Sequence, residues 1–204
     1  PSIALNNGKR LPLFGLGTWQ AMNADELKVA LRVALDAGYR LIDTAEIYQN
    51  EHVIGEVLEE YFKAGKLKRE DVFITTKLPF YSMQPAEAEA SIKKQLASLR
   101  MEYIDLYLVH CPMAMKLDIS AYPKWGKPKH EDINHIDIWR VLEKYYKCGH
   151  LKALGVSNFN AHQLQALYDK AEIKPANLQV LLRHLLQREI SVIPKSTNPG
   201  RVKQ

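Results

Sequence analysis

The sequence has few cysteines and no long apolar run. Among its 204 residues only Cys111 and Cys148 are cysteines, which is too few for a disulfide framework and favours a reduced, intracellular protein. No stretch approaches the roughly 18 to 20 apolar residues that a membrane-spanning helix needs. Residues 1–5 contain neither the basic nor the apolar part of a secretory signal. These absences predict a protein of the cytoplasm without a membrane partner.

Two phosphate-binding motifs are also missing. Gly15 and Gly17 are followed by Gln20 where a third glycine would complete the G-x-G-x-x-G fingerprint, and no G-x-x-x-x-G-K-[ST] loop occurs. This argues against a Rossmann domain. The net charge is only +5, which is compatible with an anionic ligand but too small to indicate a nucleic-acid partner.

The composition is that of an ordinary globular protein. Hydrophobic residues make up 47% of the chain and charged residues 25%, which excludes a disordered, collagen-like or coiled-coil chain. At roughly 150 residues per domain the length predicts a single domain over residues 1–204. A chain of this size can bury about 70% of its unfolded surface, so neither a metal nor a disulfide is required for stability.

Short apolar runs alternate with amphipathic segments along the chain. The sequence predicts strands at residues 13–16, 40–44, 72–78, 105–111, 153–156, 177–180 and 191–194. It predicts helices at residues 24–37, 51–62, 86–99, 137–148 and 161–170. Nearly continuous apolar strands are typical of parallel sheets that are covered on both faces. The alternation therefore predicts an α/β fold, either a (β/α) barrel or a doubly wound sheet.

Two segments interrupt this alternation. Residues 2–12 contain Asn6, Asn7 and Gly8 between short apolar runs, which predicts a hairpin before the first strand of the sheet. Residues 112–135 form a polar, proline-containing insertion after the fourth strand. An insertion of this length suggests a functional loop.

Polar side chains stand where the predicted strands end. The second strand runs into Asp43 and is followed by Tyr48, Lys77 ends the third strand and His110 ends the fourth. Ser157 and Asn158 follow the fifth strand, Gln179 lies in the sixth, and the last strand ends at Lys195 and Ser196. Each of these has an ordinary structural explanation alone, but the carboxyl ends of parallel strands meet at one edge, where α/β enzymes hold their active sites.

The first four of these residues suit acid catalysis on a carbonyl group. A tyrosine has a pKa near 10 and is a poor acid at neutral pH, and the ammonium of Lys77 is expected to lower the pKa of Tyr48. Asp43 would keep Lys77 charged and in place, and His110 would orient the carbonyl oxygen. Because no side chain supplies a hydride, carbonyl reduction also requires a cofactor.

A second group of polar residues lies near the end of the chain. Lys195, the hydroxyl of Ser196 and Arg201 are suited to bind a phosphate monoester. The alternative is that these residues form a solvated basic tail.

These residues occur in the order and spacing of the aldo-keto reductases, and the chain most resembles the aldose and aldehyde reductase branch. The matching motifs are Gly17-Thr18-Trp19, Asp43-Thr44-Ala45 with Tyr48, Lys77, His110, Gly155-Val156-Ser157-Asn158-Phe159 and Ile193-Pro194-Lys195-Ser196. The resemblance covers residues 2–180 almost without interruption and resumes over residues 181–204. It implies a (β/α)8 barrel, of the TIM-barrel type, that uses NADPH without a metal.

The resemblance also implies roles for individual residues. Tyr48 would be the proton donor, Asp43 and Lys77 would tune it, and His110 would orient the carbonyl. The implied cofactor-binding residues are Gly17, Thr18 and Trp19, then Ser157, Asn158 and Gln179 at the nicotinamide carboxamide, and Lys195, Ser196 and Arg201 at the 2′-phosphate. The implied substrate pocket is lined by Trp19, Tyr48, His110 and Cys111.

The sequence departs from this family pattern at three places. Pro79 and Cys111 stand where aldose-reductase-like members often carry tryptophan, and Cys111 is expected to be a small buried residue. After residue 180 the sequence continues with the late helix of the family, so the sixth helix, the seventh strand and the cofactor-covering loop are absent. The chain also stops before the last helix and the C-terminal loop. We therefore expect an incomplete barrel with a true deletion at the junction 180–181, the alternative being residues missing from the sequence.

Two hypotheses of function follow. The first is NADPH-dependent reduction of aldehydes and ketones to alcohols, with a small-molecule substrate and a monomeric protein. The second is a catalytically impaired, truncated isoform that serves at most as a binding or structural protein. The four catalytic residues favour the first hypothesis, and the missing cofactor-binding strand predicts weak NADPH binding and little activity.

Overall fold

A β-hairpin opens the chain. The computed structural model describes residues 1–116 and 129–179, and it begins with the antiparallel strands β1 (Ser2–Ala4) and β2 (Arg10–Pro12). The turn between them includes Gly8, whose φ of 79° lies in the left-handed region that favours glycine. The predicted hairpin is confirmed.

In the part of the chain that the structure describes, six parallel strands form the central sheet. They are β3 (Gly15–Gly17), β4 (Leu41–Asp43), β5 (Phe73–Leu78), β6 (Leu106–Val109), β9 (Leu154–Ser157) and β10 (Asn177–Gln179). Every neighbouring pair is parallel, and the order across the sheet, β10-β9-β6-β5-β4-β3, follows the chain without reversal. A doubly wound sheet reverses its strand order at a switch point. The sheet is therefore part of a (β/α)8 barrel, as predicted.

Within the described residues, five helices cover the outer face of this sheet. They are α1 (Ala24–Asp36), α2 (Glu51–Lys63), α3 (Pro85–Leu99), α4 (His135–Lys147) and α5 (Ala161–Lys170). Each begins within about two residues of its predicted start. Helix α1 shows why: the side chain of Asn23 accepts hydrogen bonds from the N–H groups of Asp25 and Glu26, and an apolar stripe of five residues is buried against the sheet.

Alternation along the strands separates two apolar clusters. Side chains of Ile42, Ile74 and Tyr107 face the helices and belong to the larger cluster. Their neighbours in sequence point to the inside of the barrel. The inner cluster combines strand and hairpin residues: Leu5, Leu11, Leu41, Phe73, Leu106, Leu108 and Ala153.

The hairpin closes the amino-terminal end of the barrel. Asn7 donates a hydrogen bond of 2.8 Å to the carbonyl of Lys152, just before β9. Asn6 donates one of 3.1 Å to the carbonyl of Pro175, just before β10. Both anchors lie at the starts of strands, so the hairpin stands at the end opposite to the predicted site residues.

The predicted insertion after β6 has structure of its own. Within it, β7 (Ala114–Lys116) and β8 (Lys129–Glu131) pair as antiparallel strands, which the polar composition of the segment did not predict. The predicted strand at 191–194 and the expected junction at 180–181 lie outside the described residues. Among the residues described, no helix is long and apolar enough to cross a membrane.

Candidate active site

Inward-facing positions change from apolar to polar along each central strand. In β4, Leu41 lies in the inner cluster and Asp43 follows two residues later. In β5, Phe73 lies in the inner cluster and Lys77 follows four residues later, on the same face of the strand. In the same way Leu108 precedes His110 directly after β6. Period-two alternation therefore places all three polar side chains inside the carboxyl end of the barrel. Tyr48 reaches this end from the 3-10 turn Glu46–Tyr48.

Lys77 and Asp43 form a buried ion pair. The Nζ of Lys77 lies 2.6 Å from Oδ1 of Asp43 and 2.9 Å from the carbonyl oxygen of Thr44. The side chains of Lys77 and Asp43 are 2% and 6% exposed. A charge this deeply buried is held only if it is paired, so each residue fixes the other. The predicted contact between Asp43 and Lys77 is present in the structure.

The ammonium of Lys77 also lies against the Tyr48 phenol. Its Nζ is 5.3 Å from the centre of the tyrosine ring. Burial raises the pKa of Tyr48, the positive charge of Lys77 lowers that pKa, and the carboxylate of Asp43 raises it. The charge of Lys77 thus lowers the pKa of Tyr48, as expected. The net pKa of Tyr48 is nevertheless raised, because desolvation of the phenolate outweighs the effect of the ammonium. The expectation of a lowered pKa is therefore wrong for the protein without ligand.

His110 faces Tyr48 edge to face. The two ring centres are 5.9 Å apart with an interplanar angle of 82°. Burial, followed by the positive charge of Lys77, lowers the pKa of His110 to about 3. The imidazole is therefore neutral at physiological pH and carries one N–H donor. Its Nδ1 is buried without a hydrogen-bond partner among the described residues.

Ser157 and Asn158 border His110 at the end of β9. Asn158 has a left-handed φ of 61°, and its Nδ2 donates to the backbone oxygen of His110 at 2.8 Å and to Oγ of Ser157 at 3.1 Å. The backbone of Gln179 pairs with that of Ser157 across β10 and β9. The structure thus brings these three chain positions to the same end as Asp43, Tyr48, Lys77 and His110. Lys195, Ser196 and Arg201 lie outside the described residues.

The turn after β3 is fixed to the ion pair through Thr18. The N–H and hydroxyl groups of Thr18 donate to the carbonyl oxygen of Asp43 at 3.0 and 3.1 Å. Thr18 follows Gly17, the last residue of β3, which pairs with Asp43, and precedes Trp19, whose side chain is 60% exposed. An exposed indole beside the catalytic end is suited to contact a ligand.

Sequence reasoning missed Asn50, which organises this turn. Its buried Nδ2 donates to the carbonyl oxygens of Thr18 at 2.9 Å and Ala21 at 3.3 Å, and its Oδ1 accepts from the hydroxyl of Thr44 at 3.1 Å. An asparagine directly before a helix is normally interpreted as an N-cap. Here the side chain makes no capping bond to α2, so only the folded chain shows its role.

Cys111 is half-buried beside His110, whereas we expected a small buried residue. Its thiol lies 3.8 Å from the carbonyl oxygen of Met113, and burial raises the pKa of Cys111. The side chain is therefore a neutral thiol at neutral pH. Within the described part of the chain, no group of three or more His, Cys, Asp or Glu side chains is arranged to hold a metal ion.

Curated proteins that match this chain are named as aldo-keto reductases. It is 40% identical over 192 residues to aldo-keto reductase family 1 member A1 of Cricetulus griseus, covering 92% of this chain and 59% of that protein. The same protein of Bos taurus is 41% identical over 192 residues, with the same coverage. The chain thus spans less than two thirds of the length of these relatives.

Solved structures and a family model indicate the same family as these relatives. The aldose reductase of Schistosoma japonicum superposes with a TM-score of 0.92 at 32% identity, over 100% of this chain and 85% of that one. A Bombyx mori aldo-keto reductase in complex with NADP gives a TM-score of 0.89 at 27% identity, over 100% and 86%. The model of the aldo/keto reductase family matches residues 13–198. With the barrel strands and the residues at their carboxyl ends, these matches show that the chain belongs to the aldo/keto reductase family.

Proposed function

We propose that this protein reduces aldehydes and ketones to alcohols, with Tyr48 as the proton donor and NADPH as the source of hydride. One observation carries the proposal: the buried ammonium of Lys77 is held by Asp43 against the Tyr48 ring, and His110 faces that ring from the next strand. Acid catalysis on a carbonyl oxygen needs these groups together.

The protonation states of the described residues suit this reaction. The raised pKa of Tyr48 keeps the phenol protonated at neutral pH, and the lowered pKa of His110 keeps the imidazole neutral. A neutral imidazole holds the carbonyl oxygen through its N–H without competing as an acid. The Tyr48 O–H bond then breaks, its proton passes to the carbonyl oxygen, and Lys77 stabilises the phenolate that remains.

Ser157 and Asn158 are suited to hold a nicotinamide carboxamide. Because the Ser157 oxygen accepts from Asn158, its hydroxyl hydrogen can donate to the carboxamide oxygen, while Oδ1 of Asn158 accepts from the carboxamide nitrogen. When bound, NADPH supplies the hydride and leaves as NADP+. The Bombyx mori relative is described in complex with NADP, which supports this cofactor. Gln179 at the carboxamide, and Lys195, Ser196 and Arg201 at the 2′-phosphate, belong to the same proposal.

We place the protein in a reducing compartment, and its proposed partner is a small-molecule carbonyl substrate. Cys111 and Cys148 are both free thiols, which supports the cytoplasm.

A non-catalytic role is the second candidate. The chain spans 59% of the length of its curated relatives, so the activity of those whole proteins is carried over to this chain only as a proposal. In this candidate the protein binds NADPH weakly and turns over little.

A titration and an assay separate the two candidates. NADPH is added to the purified protein while tryptophan fluorescence is followed, since the exposed Trp19 stands at the cofactor end. Turnover of a simple aldehyde is then measured by NADPH absorbance. Quenching together with turnover supports the reductase. Quenching without turnover, or no response in either measurement, supports the non-catalytic protein and contradicts the proposed activity.

A further inference from the structure

We propose that Gln95 is a positioning residue for the reduction. From the outer side of the barrel it holds the peptide of Lys77 and, through Glu51, the start of helix α2, and so determines where the Lys77 ammonium stands relative to the Tyr48 phenol. The proposal rests on the proposed function. Gln95 does not touch the reacting groups, and its position in helix α3 gives no sign of a functional role.

Gln95 is completely buried, and both the nitrogen and the oxygen of its side-chain amide have hydrogen-bond partners. The residue is 0% exposed. Its Nε2 lies 3.2 Å from the carbonyl oxygen of Lys77, 2.9 Å from Oγ1 of Thr76 and 3.0 Å from Oε1 of Glu51. Its Oε1 accepts from the hydroxyl of Tyr107 at 2.5 Å. One side chain thus joins α3 to α2, β5 and β6.

The orientation of this amide follows from its neighbours. The Lys77 carbonyl and an ionised Glu51 are acceptors only, so the side of the amide that faces them must be the NH2 group. If the amide were reversed, its oxygen would face the Lys77 carbonyl and the Glu51 carboxylate. The opposite side meets Tyr107, whose hydroxyl donates to the amide oxygen. Gln95 therefore has one favourable orientation, and it is the one that binds Lys77.

The same network holds the two segments that flank Tyr48. Glu51, three residues after Tyr48, accepts from Thr76 at 2.5 Å. Glu46, two residues before Tyr48, accepts from the hydroxyl of Ser91 and pairs with Lys94 at 2.8 Å. Ser91, Lys94 and Gln95 all lie on helix α3. This helix therefore positions the Tyr48 turn and the Lys77 strand together.

Alternation along β5 explains how an outer residue affects the site. Thr76 faces the helices and bonds to Glu51 and Gln95, and the next side chain, Lys77, faces the site and bonds to Asp43. A shift of β5 relative to α3 moves the Lys77 ammonium by a similar distance. Since a displacement of about 1 Å can lower a rate about a hundredfold, a hydrogen bond to the Lys77 peptide has consequences for catalysis.

The charge state of the network is set by Glu51. Burial raises the pKa of Glu51 to about 7 against the hydrogen bonds from Thr76 and Gln95. The titratable groups that face it are Glu46, Lys94, Tyr81 and Tyr107. Ionised Glu51 is the stronger acceptor for Gln95, so the positioning contacts strengthen as pH rises through neutrality.

The test compares Gln95→Met with Tyr61→Phe. Methionine keeps the volume and the helix propensity of Gln95 and removes every hydrogen bond of its amide. Tyr61→Phe removes hydrogen bonds to Asp36 and Arg32 between α1 and α2, in the same helical layer but away from β5. Alkaline titration of Tyr48 is followed by NMR on Cζ-labelled tyrosine, with Tyr48→Phe to assign the signal, and kcat and KM are measured on a simple aldehyde.

We expect the pKa of Tyr48 to rise in Gln95→Met, because the Lys77 peptide loses its hydrogen bond and the ammonium that lowers this pKa shifts with it. In Tyr61→Phe we expect the pKa of Tyr48 to stay at the wild-type value. We also expect kcat to fall about tenfold in Gln95→Met with little change in the KM for NADPH. If the Tyr48 pKa stays at the wild-type value in a folded Gln95→Met protein, the proposal is overturned.

Two other results of this experiment also bear on the proposal. If Gln95→Met does not fold, Thr76→Val breaks the same network from the strand without a change of shape, and the Tyr48 titration of that variant decides. If the wild-type chain shows no turnover, the reductase proposal fails for this chain, whereas the Tyr48 titration still tests the positioning role separately.

Discussion

At the scale of single residues, burial and charge work against each other around Tyr48. The phenol is desolvated, which raises its pKa, and it lies beside an ammonium that lowers it. A proton donor needs both effects: it must stay protonated before the reaction and lose its proton easily during it. The buried pair of Lys77 and Asp43 supplies the second effect without exposing the phenol to water.

Replacement of Tyr48 by phenylalanine tests the proton donor. We expect Tyr48→Phe to abolish carbonyl reduction and to leave the affinity for NADPH within a few-fold of the wild type, because the ring remains and only the hydroxyl is lost. Steady-state turnover and a fluorescence titration measure the two quantities. Retained turnover would remove Tyr48 from the mechanism.

Replacement of Lys77 tests the ion pair. Lys77→Met leaves the carboxylate of Asp43 buried without its cation, which costs about 3 to 5 kcal/mol of unfolding free energy. The double variant Lys77→Met, Asp43→Asn also removes the charge of that carboxylate, and we expect it to recover part of that loss. Urea unfolding of the two variants and the wild type gives the comparison. Equal stability of single and double variants would mean that the pair does not hold the site.

At the scale of elements, helices α2 and α3 carry buried polar residues on the side that faces the sheet. Glu51, Ser91 and Gln95 are each under 5% exposed, where an amphipathic helix normally presents only apolar side chains. Their hydrogen bonds replace apolar packing at this interface. The gain is a defined register between the helices and the strand that carries Lys77, because hydrogen bonds require particular distances and directions.

Glu51 makes stability dependent on pH. Its pKa in the folded chain is about 7, above the usual 4.5, so the native state binds the proton more tightly than the unfolded state. Stability is therefore greatest at low pH and falls as pH rises from the unfolded to the folded pKa, by about 3 kcal/mol in all. Above that range the loss is complete.

Glu51→Gln should remove this dependence. We expect the variant to be more stable than the wild type at about pH 8 and not at about pH 5, as measured by urea unfolding at both values. Glu59→Gln, on the exposed face of the same helix, is the control and should leave the difference between the two pH values unchanged. A parallel response of Glu51→Gln and the wild type would contradict the burial argument.

At the scale of the whole molecule, stability and chemistry are placed at opposite ends of the barrel. The hairpin and the inner apolar cluster close the amino-terminal end, and the charged and polar residues stand at the carboxyl ends of the strands. A substitution in the hairpin should therefore change folding and leave the reaction intact.

Leu11 tests this separation. It is 5% exposed within the inner cluster, so Leu11→Ala should lower the unfolding free energy by about 2 to 5 kcal/mol. The matched control is Ile3→Ala in the same hairpin, where Ile3 is 39% exposed; it should cost no more than about 0.5 kcal/mol. At a temperature where both variants are folded, their Tyr48 titration should match that of the wild type. A shifted titration in Leu11→Ala would show that the two ends are coupled.

The sequence by itself determined the parallel sheet, the helices and the meeting of Asp43, Tyr48, Lys77 and His110 at one end of it. Strand and helix periodicity is local, and polar residues at the ends of successive strands meet in any parallel barrel. Only the tertiary structure decided the roles of Asn50, Glu51 and Gln95. Asn50 and Glu51 have the sequence signs of a helix start, and Gln95 has the sign of an ordinary helical residue. Their partners are 32, 25 and 18 residues away, and no local pattern encodes contacts over such separations. The same is true of the pKa of Tyr48, whose direction depends on how much water the folded chain excludes.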